Sequence, residues 1–463
     1  MMQRFKVFVR WRPLSSSEAA ADEIDRESAQ HEDSYLSMTL ASRSPTARAR
    51  SWKSGPSFTR IFEAGDNNKS VFEDVVPPTF PQVLSGGTCN FFAYGHSGSG
   101  KSHTIIGYDY ENSDEFGLCL SAALQLSGEL ERLNAELTLD GETGNEGDVL
   151  GIGIRMYELR KNTAFDLLND RRECYVREGP DGRVHIRGET ETLEDGKVRV
   201  RPIVTRACWI FDDLRRELLV GLKLRATGSS TIHDQSSRTH AVVELEVVTK
   251  TLLDARDELI ERQSELVPVG KLATDIYLEE SLNSFIKTAD GKYVVDPNNP
   301  PNQKRIDAAE AEKKKFEMRV QEAEDHVIEV LARKRHSCLG GKFVFVDLAG
   351  SEYFDEKGTS AVFGPKPTAQ ERQEARQINS DLLAIKEVIR ARALKQARVP
   401  FRSAPLTMVL REHFQGSLDS HSAMILTVSP SSGQLAATMN TLKYGNLVGV
   451  AGGPVEPSVK KPK

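Results

Sequence analysis

Apolar residues fall along this chain in two rhythms. Six short runs, Lys6–Trp11, Cys89–Tyr94, Ile152–Leu159, Ala241–Val248, Lys342–Val346 and Met424–Val428, are rich in Val, Ile or Phe and are bounded by turn or polar residues. That pattern predicts buried strands. Between them, apolar residues recur at helical spacing over about 116–136, 208–224, 370–397, 405–414 and 434–448. Strands alternating with helices over most of the chain predict an α/β domain with a largely covered sheet.

One stretch, 251–336, breaks that alternation. Ile306, Ala309, Lys313, Phe316, Val320, Ala323, Val327 and Val330 follow one another at steps of 3, 4, 3, 4, 3, 4 and 3. This is a heptad seam with one lysine on it. A helix over 304–335 would run about 50 Å at 1.5 Å per residue. Upstream, Leu252, Ala255, Leu259 and Leu266 suggest one shorter helix, and Ile276, Leu282, Phe285 and Ile286 another. Asp296-Pro297-Asn298-Asn299-Pro300-Pro301 breaks the chain before the long one. The expectation is an antiparallel helical hairpin inserted in the α/β domain; a single helix lying on its surface is the alternative. Residues 41–57, 139–149 and 451–463 read as loops, the last as a disordered tail.

Composition narrows the function classes. Of 463 residues, 39% are hydrophobic and 28% charged, which permits a sizeable core and argues against general disorder. No apolar run is long enough to span a bilayer, and the opening Met1-Met2-Gln3-Arg4 lacks a secretory leader's apolar core. Five scattered cysteines, without a C-x-x-C pair, exclude a disulfide scaffold and a zinc knuckle and fit a reducing cytoplasm. A net charge of -6 argues against wrapping nucleic acid, although a local basic face is still allowed.

The chemistry concentrates at Gly95-His96-Ser97-Gly98-Ser99-Gly100-Lys101-Ser102, a G-x-x-x-x-G-K-[ST] loop following a predicted strand. Its glycines let successive backbone N–H groups turn inward around phosphate. Lys101 would reach the terminal phosphates, and the Ser102 hydroxyl would bind Mg²⁺. Val344-Phe345-Val346-Asp347-Leu348-Ala349-Gly350 is an apolar strand ending in Asp and then Gly, where such proteins place a magnesium carboxylate and a γ-phosphate-sensing glycine. Ser236-Ser237-Arg238 sits in a polar loop before another strand and suits a segment that closes on γ-phosphate.

Together these pieces resemble the kinesin motor domain. Arg10-Trp11-Arg12-Pro13 looks like its adenine-side motif. Phe92-Ala93-Tyr94-Gly95 through Lys101-Ser102-His103-Thr104 looks like its P-loop. Ser236-Ser237-Arg238-Thr239-His240 looks like switch I, and Asp347-Leu348-Ala349-Gly350-Ser351-Glu352 like switch II. Ile378–Leu382, Val399-Pro400-Phe401-Arg402 and Leu406-Thr407 look like the microtubule-facing helix and loop, and Thr441-Leu442-Lys443-Tyr444 like the last motor helix. Within the family, the pattern around Leu382–Arg390 and Val409–Phe414 is most similar to the internal-motor, microtubule-depolymerising class. That class carries a Lys-Val-Asp triplet in the loop corresponding to about 41–57, and this sequence has none there. His233, Pro405, Met408 and Tyr353 also depart from the usual family residues.

The resemblance implies a P-loop NTPase fold over 1–450: a central mixed sheet with helices on both faces, with 251–336 as a helical insertion. It implies ATP with Mg²⁺ as ligands. Adenine would lie near Arg10, Arg12, Pro13 and His103; Ser102, Ser237 and Asp347 would hold the metal; and Ser236, Ser237 and Gly350 would hold the switches around the γ-phosphate. Arg238 and Glu352 would form an ion pair linking the two switches. The implied partner is the microtubule, met through about 386–411, where Lys386, Arg390, Arg392, Lys395, Arg398 and Arg402 outnumber the single acid Glu387. A protein partner at 251–336 and a cytoplasmic, cytoskeletal location complete the expectation. Both switches lie at the nucleotide end of the sheet, so the insertion should leave from the opposite end. A nucleotide-binding adaptor that grips a partner without productive cycling is the alternative function.

Overall fold

In the computed structural model, the described residues are 5–16, 18, 24–31, 35–42, 51–139, 146–161, 163–179, 182, 184–193, 196–227, 238–287, 290–332, 337–351, 368–412 and 421–450. Ser236, Ser237, Glu352, His233, Tyr353 and the 451–463 tail lie outside them.

A 12-stranded sheet organises the chain. From one edge its order is Val198–Pro202, Val184–Thr192, Arg172–Glu178, Thr163–Asp166, Gly151–Arg160, His240–Val248, Lys342–Asp347, Thr88–Tyr94, Ser422–Val428, Lys6–Trp11 and Arg60–Phe62, with Arg206–Cys208 pairing to Gly151–Arg160. The five strands from Lys342–Asp347 to Arg60–Phe62 are mutually parallel; the others pair antiparallel. Parallel neighbours need covered crossovers, and the sequence supplies them as helices. Alternation decides which face each side chain serves. Phe91, Ala93, Phe343 and Phe345 enter one core with the helices Leu118–Leu139 and Phe211–Thr227. Phe92, Tyr94, Val344 and Val346 enter a second core with the helices Ala369–Ala393 and Leu435–Val450. The sheet is therefore mixed and covered on both faces. On the second face Tyr94 stacks on Tyr444 at 4.0 Å between ring centroids, and the Tyr444 hydroxyl donates to the Leu382 carbonyl at 3.1 Å.

The antiparallel half exceeds what the hydrophobic pattern predicts. Strands Thr163–Asp166 through Val198–Pro202 intersperse single apolar residues among charged and polar ones, so none of them forms a compact apolar run. A separate three-stranded sheet joins Ile24–Gln30, Leu36–Ser42 and Ser51–Lys53. The stretch 41–57, expected as a loop, thus contributes a strand, because Leu40 and Trp52 sit directly opposite across it.

The region 251–336 also differs in detail. Instead of two short helices, a single helix, Lys250–Asn283, runs through Pro268. Proline there removes one N–H that would bond the Ser264 carbonyl, yet the helix continues because it is packed along its length. Phe285 and Ile286, expected as helical, lie in a two-stranded antiparallel ribbon, Phe285–Lys287 with Tyr293–Val295. The return helix is Gln303–Ala332. The contacts Arg305–Glu280, Arg319–Glu265 and His326–Glu258 pair rising with falling residue numbers, so the two helices are antiparallel. Ile306, Ala323 and Val330 of the heptad seam are buried, and Ala309, Lys313, Phe316, Val320 and Val327 are half-buried. At the root, Leu252 and Ala255 pack with Val248, Val330 and Leu339. Ala241 pairs with Asp347 and Glu246 with Lys342, so the insertion leaves the sheet at the end remote from Asp347.

Leu252 is fully buried in that small root core. Leu252→Ala should cost about 2–5 kcal/mol. Chemical denaturation followed by circular dichroism checks this; an unchanged midpoint would show that the root carries no stability.

Candidate nucleotide site

The carboxyl ends of four parallel strands meet at one edge, the place where open α/β sheets bind ligands. Thr88–Tyr94 runs into the Gly95–Ser102 loop, Lys342–Asp347 ends on Asp347, Ser422–Val428 ends beside Thr427, and Lys6–Trp11 leads to Arg12. Backbone bonds knit these ends: Arg12 N–H donates to Val428, Leu348 to Ala93, and Ser351 to Gly95.

The loop turns tightly. Gly98 and Gly100 have φ of +72° and +102°, which a side chain would strain. A Cβ on Gly95 would lie 2.4 Å from the Thr427 carbonyl oxygen, so only glycine lets the loop press on that strand. Ser99 and Thr427 hydroxyls bond at 2.7 Å beneath it. The loop opens a helix of five residues, Lys101–Ile105.

Ser102 Oγ donates to Asp347 Oδ2 at 2.6 Å. The same oxygen receives Arg225 Nη1 at 2.8 Å, and Arg225 Nη2 reaches the Thr239 carbonyl at 3.3 Å. Both Arg225 and Asp347 are almost wholly buried. Lys101 Nζ donates to the His96 carbonyl at 2.9 Å; burial pulls its ammonium down to about 8, opposed by Asp347 and reinforced by Arg225. A Cβ on Gly350 would fall 2.8 Å from Ser97 N and 3.2 Å from Lys101 Nζ, so Gly350 closes directly onto the loop. Burial also lowers His96 to about 4, with its Nδ1 against the Ser97 carbonyl at 2.8 Å.

The expected adenine-side residues divide. Arg10 is buried and donates to Asn68 Oδ1 at 2.7 Å and Thr104 Oγ1 at 2.9 Å, so it braces the helix after the loop; burial lowers it to about 10. Arg12 pairs with Glu18 and donates to Gln434 and to the Pro13 carbonyl. The His103 ring lies 5.3 Å from that of the exposed Tyr108. Arg238 meets Glu374 of the helix Ala369–Ala393 at 3.6 Å. Its expected partner Glu352 is outside the described residues, as are Ser236 and Ser237.

Arg225 and Glu374 were not singled out by sequence. Arg225 lies in the last turn of a helix with three arginines, Arg215, Arg216 and Arg225, and only the fold shows which one faces Asp347.

The donor set fits a phosphate-bound divalent cation. Among the described residues, Asp347 Oδ1 is buried without a hydrogen-bond partner, as are Ser351 Oγ and Thr239 Oγ1, beside the Ser102 hydroxyl and the Lys101 ammonium. Carboxylate and hydroxyl oxygens are the ligands that Mg²⁺ takes.

The kinesin motor domain model matches residues 10–271 and 316–449. The chain belongs to the kinesin motor domain family. It is similar to the kinesin-like protein KIN-13A of Oryza sativa subsp. japonica, 26% identical over 446 residues that span 96% of this chain and 41% of that one. To the human kinesin-like protein KIF24 it is 24% identical over 447 residues, 96% of this chain and 24% of that one. The chain thus spans less than half the length of these relatives. Among solved structures, the motor domain of the Saccharomyces cerevisiae kinesin-related protein KAR3 aligns with a TM-score of 0.57 at 20% identity, over 96% of this chain and 99% of that one. A kinesin-13-type internal-motor pattern and a kinesin fold agree with the motifs read from the sequence.

Removing Arg225 would strand a buried carboxylate. Arg225→Leu should destabilise the fold by about 3–5 kcal/mol, read as a lowered urea midpoint at unchanged slope. A midpoint equal to wild type would show that Ser102 alone satisfies Asp347.

Proposed function

We propose that this kinesin-family chain is a microtubule-stimulated ATPase that couples ATP hydrolysis to movement along, or remodelling of, microtubules. The observation that carries this reading is the convergence of the Gly95–Ser102 loop, Asp347 and Gly350 on one sheet edge, with Arg238 at the start of the adjoining strand. ATP phosphates would sit on the loop N–H groups and Lys101. Ser102 and Asp347 would hold Mg²⁺, with Ser237 from switch I. When bound, Mg²⁺ neutralises charge developing on the phosphate oxygens. The protein's own part is positional: Lys101 and the loop orient the phosphates, Gly350 senses their end, and burial of the site strengthens each contact. Ser236, Ser237, Arg238 and Glu352 are proposed to close the switches.

The proposed microtubule face is 386–411. Here the structure adds a restraint. Glu178 accepts Arg402 at 2.7 and 2.8 Å and Arg411 at 2.9 Å, and these arginines hold its carboxyl at about 2. Lys395 and Arg398 remain exposed on the segment after the helix. The insertion, remote from the site, is proposed to serve a protein partner. Among the described residues no helix is long and apolar enough to cross a membrane.

Lys101 generates a pH prediction. Burial lowers the Lys101 ammonium to about 8, and bound phosphate would restore the charged form. Affinity for an ATP analogue should therefore hold below pH 8 and fall above it by up to about tenfold per unit. Fluorescence titration from pH 7 to 9.5 measures this, and Lys101→Arg should abolish the slope. A flat wild-type profile would remove Lys101 from the phosphate site.

The double reversal Lys395→Glu with Arg398→Glu should weaken microtubule co-sedimentation at least tenfold, and wild-type binding should weaken with added salt, because surface charges screen over about 8 Å at physiological ionic strength. Unchanged co-sedimentation would place the contact elsewhere. Steady-state turnover with and without microtubules separates this reading from the adaptor, which would bind but not be stimulated.

A further inference from the structure

The helical hairpin of the insertion ends in the two-stranded sheet Phe285–Lys287 with Tyr293–Val295. An isolated pair of strands is only marginally stable in water, and independent stability takes three or more. This pair also lacks cover. Ile286 and Val294 stand opposite each other and are 46% and 41% exposed, and Tyr293 is 70% exposed. Leu278 and Leu282, on the helix that feeds the ribbon, are exposed as well. Large apolar side chains gathered at one exposed tip mark an interaction surface.

The backbone shows which edge is offered. Asp296 N–H donates to the Ser284 carbonyl at 2.7 Å, so Ser284 and Asp296 are a hydrogen-bonded pair. Such pairs alternate along an antiparallel ladder. The next is Ile286 with Val294, which turns the N–H and C=O of Tyr293 and Val295 to the outer edge. Along that edge the sequence is Lys292-Tyr293-Val294-Val295-Asp296, bounded by Gly291 at φ +80° and by Pro297. A cation and an anion stand at equal distances on either side of Val294.

We propose that this edge pairs with its own equivalent on a second copy of the chain, antiparallel, about a two-fold axis through Val294. In that register the outward groups of Tyr293 and Val295 bond those of the second copy's Val295 and Tyr293. Lys292 lies opposite the second copy's Asp296, and Asp296 opposite its Lys292. Residues 292, 294 and 296 share one face of the strand. Ile286, Val294 and their two equivalents therefore form one apolar row across a joined sheet, flanked on each side by opposite charges, which stabilise directly opposed strands. The other edge has no such match, since centring it on Ile286 sets Lys287 against Phe285. A two-fold axis uses the same patch twice, and here one local sequence supplies both halves of the charge pairing. The inference names an occupant for the insertion and rests on the reading that it serves a protein partner; it does not depend on ATP hydrolysis.

Sedimentation velocity of the full chain between about 1 and about 100 µM should show the mass rising from one chain toward two, as for a small, weak interface. Val294→Lys puts two ammonium groups on the axis and should weaken association at least about tenfold; Lys292→Asp sets like charges across both flanks and should weaken it about fivefold. Circular dichroism should match wild type in both. Association unchanged in Val294→Lys overturns the proposal. Cross-linking reads the register, because the five natural cysteines are buried. Under mild oxidation Val294→Cys should give a disulfide-linked dimer, since opposed residues of a non-hydrogen-bonded pair lie about 4.5 Å apart at Cα. Ile286→Cys should not, being three strand spacings, about 14 Å, from its equivalent. The reverse result overturns the proposed edge. Amide exchange separates this inference from the reading beneath it. Tyr293 and Val295 should exchange fast when dilute and several-fold slower at the highest concentration. Fast exchange throughout overturns the second copy as occupant and leaves the edge open to another protein. Slow exchange throughout shows the edge closed within the chain and overturns both.

Discussion

A single carboxylate oxygen, Oδ2 of Asp347, receives both the Ser102 hydroxyl and the Arg225 guanidinium in the interior of the protein. Ion pairs taken out of water are costly unless their geometry is good and their hydrogen bonds are filled. This one therefore constrains three elements at once: the loop-to-helix turn at Ser102, the end of the Lys342–Asp347 strand, and the last turn of the helix Phe211–Thr227. Among the described residues Asp347 Oδ1 has no hydrogen-bond partner, so the pairing through Oδ2 leaves the second carboxylate oxygen uncommitted. The neighbouring glycines serve the same constraint, because Gly95 and Gly350 allow backbone to approach where any side chain would collide.

The opposite end of the sheet uses charge differently. Glu246 is buried among Lys342, Arg256 and Arg155; burial pushes its carboxyl up, but the three cations outweigh that and hold it at about 2. Arg256 belongs to the first turns of the insertion and makes a two-pronged contact with Glu246 at 2.7 and 3.1 Å. Planar, bidentate pairing of this kind fixes orientation as well as position. Together with Leu252 and Ala255 it seats the insertion firmly on the strand whose other end carries His240 and adjoins Arg238. Lys197 and Arg199 from the outer strands add a further hold through Glu261.

How much was legible beforehand depends on the range of the interaction. The glycine loop, the Asp–Gly strand end and the heptad seam are local patterns, and the six central strands follow from compact apolar runs. The outer antiparallel strands were not legible, since the side chains they send to the core, such as Ala164, Cys174, Val176 and Ile186, stand singly among charged and polar residues rather than in compact runs. The two helices expected from Leu252–Leu266 and Ile276–Ile286 are mostly one for a related reason: packing against the return helix carries Lys250–Asn283 through Pro268 despite one missing hydrogen bond. The basic run 386–402 was legible as composition, while the pairing of Arg402 with Glu178, more than two hundred residues away in sequence, was not.

By itself, then, the sequence determined the family, the glycine-rich loop that ends in Lys101 and Ser102, the strand end at Asp347, and a heptad helix between two core strands. Each is set by residue type at fixed spacing, which short-range sterics and periodicity translate directly into structure. Tertiary structure alone decided that Arg225 is the arginine on Asp347, that Arg238 rests on Glu374, and that Glu178 holds Arg402 and Arg411. Those partners lie on different elements. Which arginine meets which acid depends on sheet order, helix rotation and burial, and charge by itself carries no address.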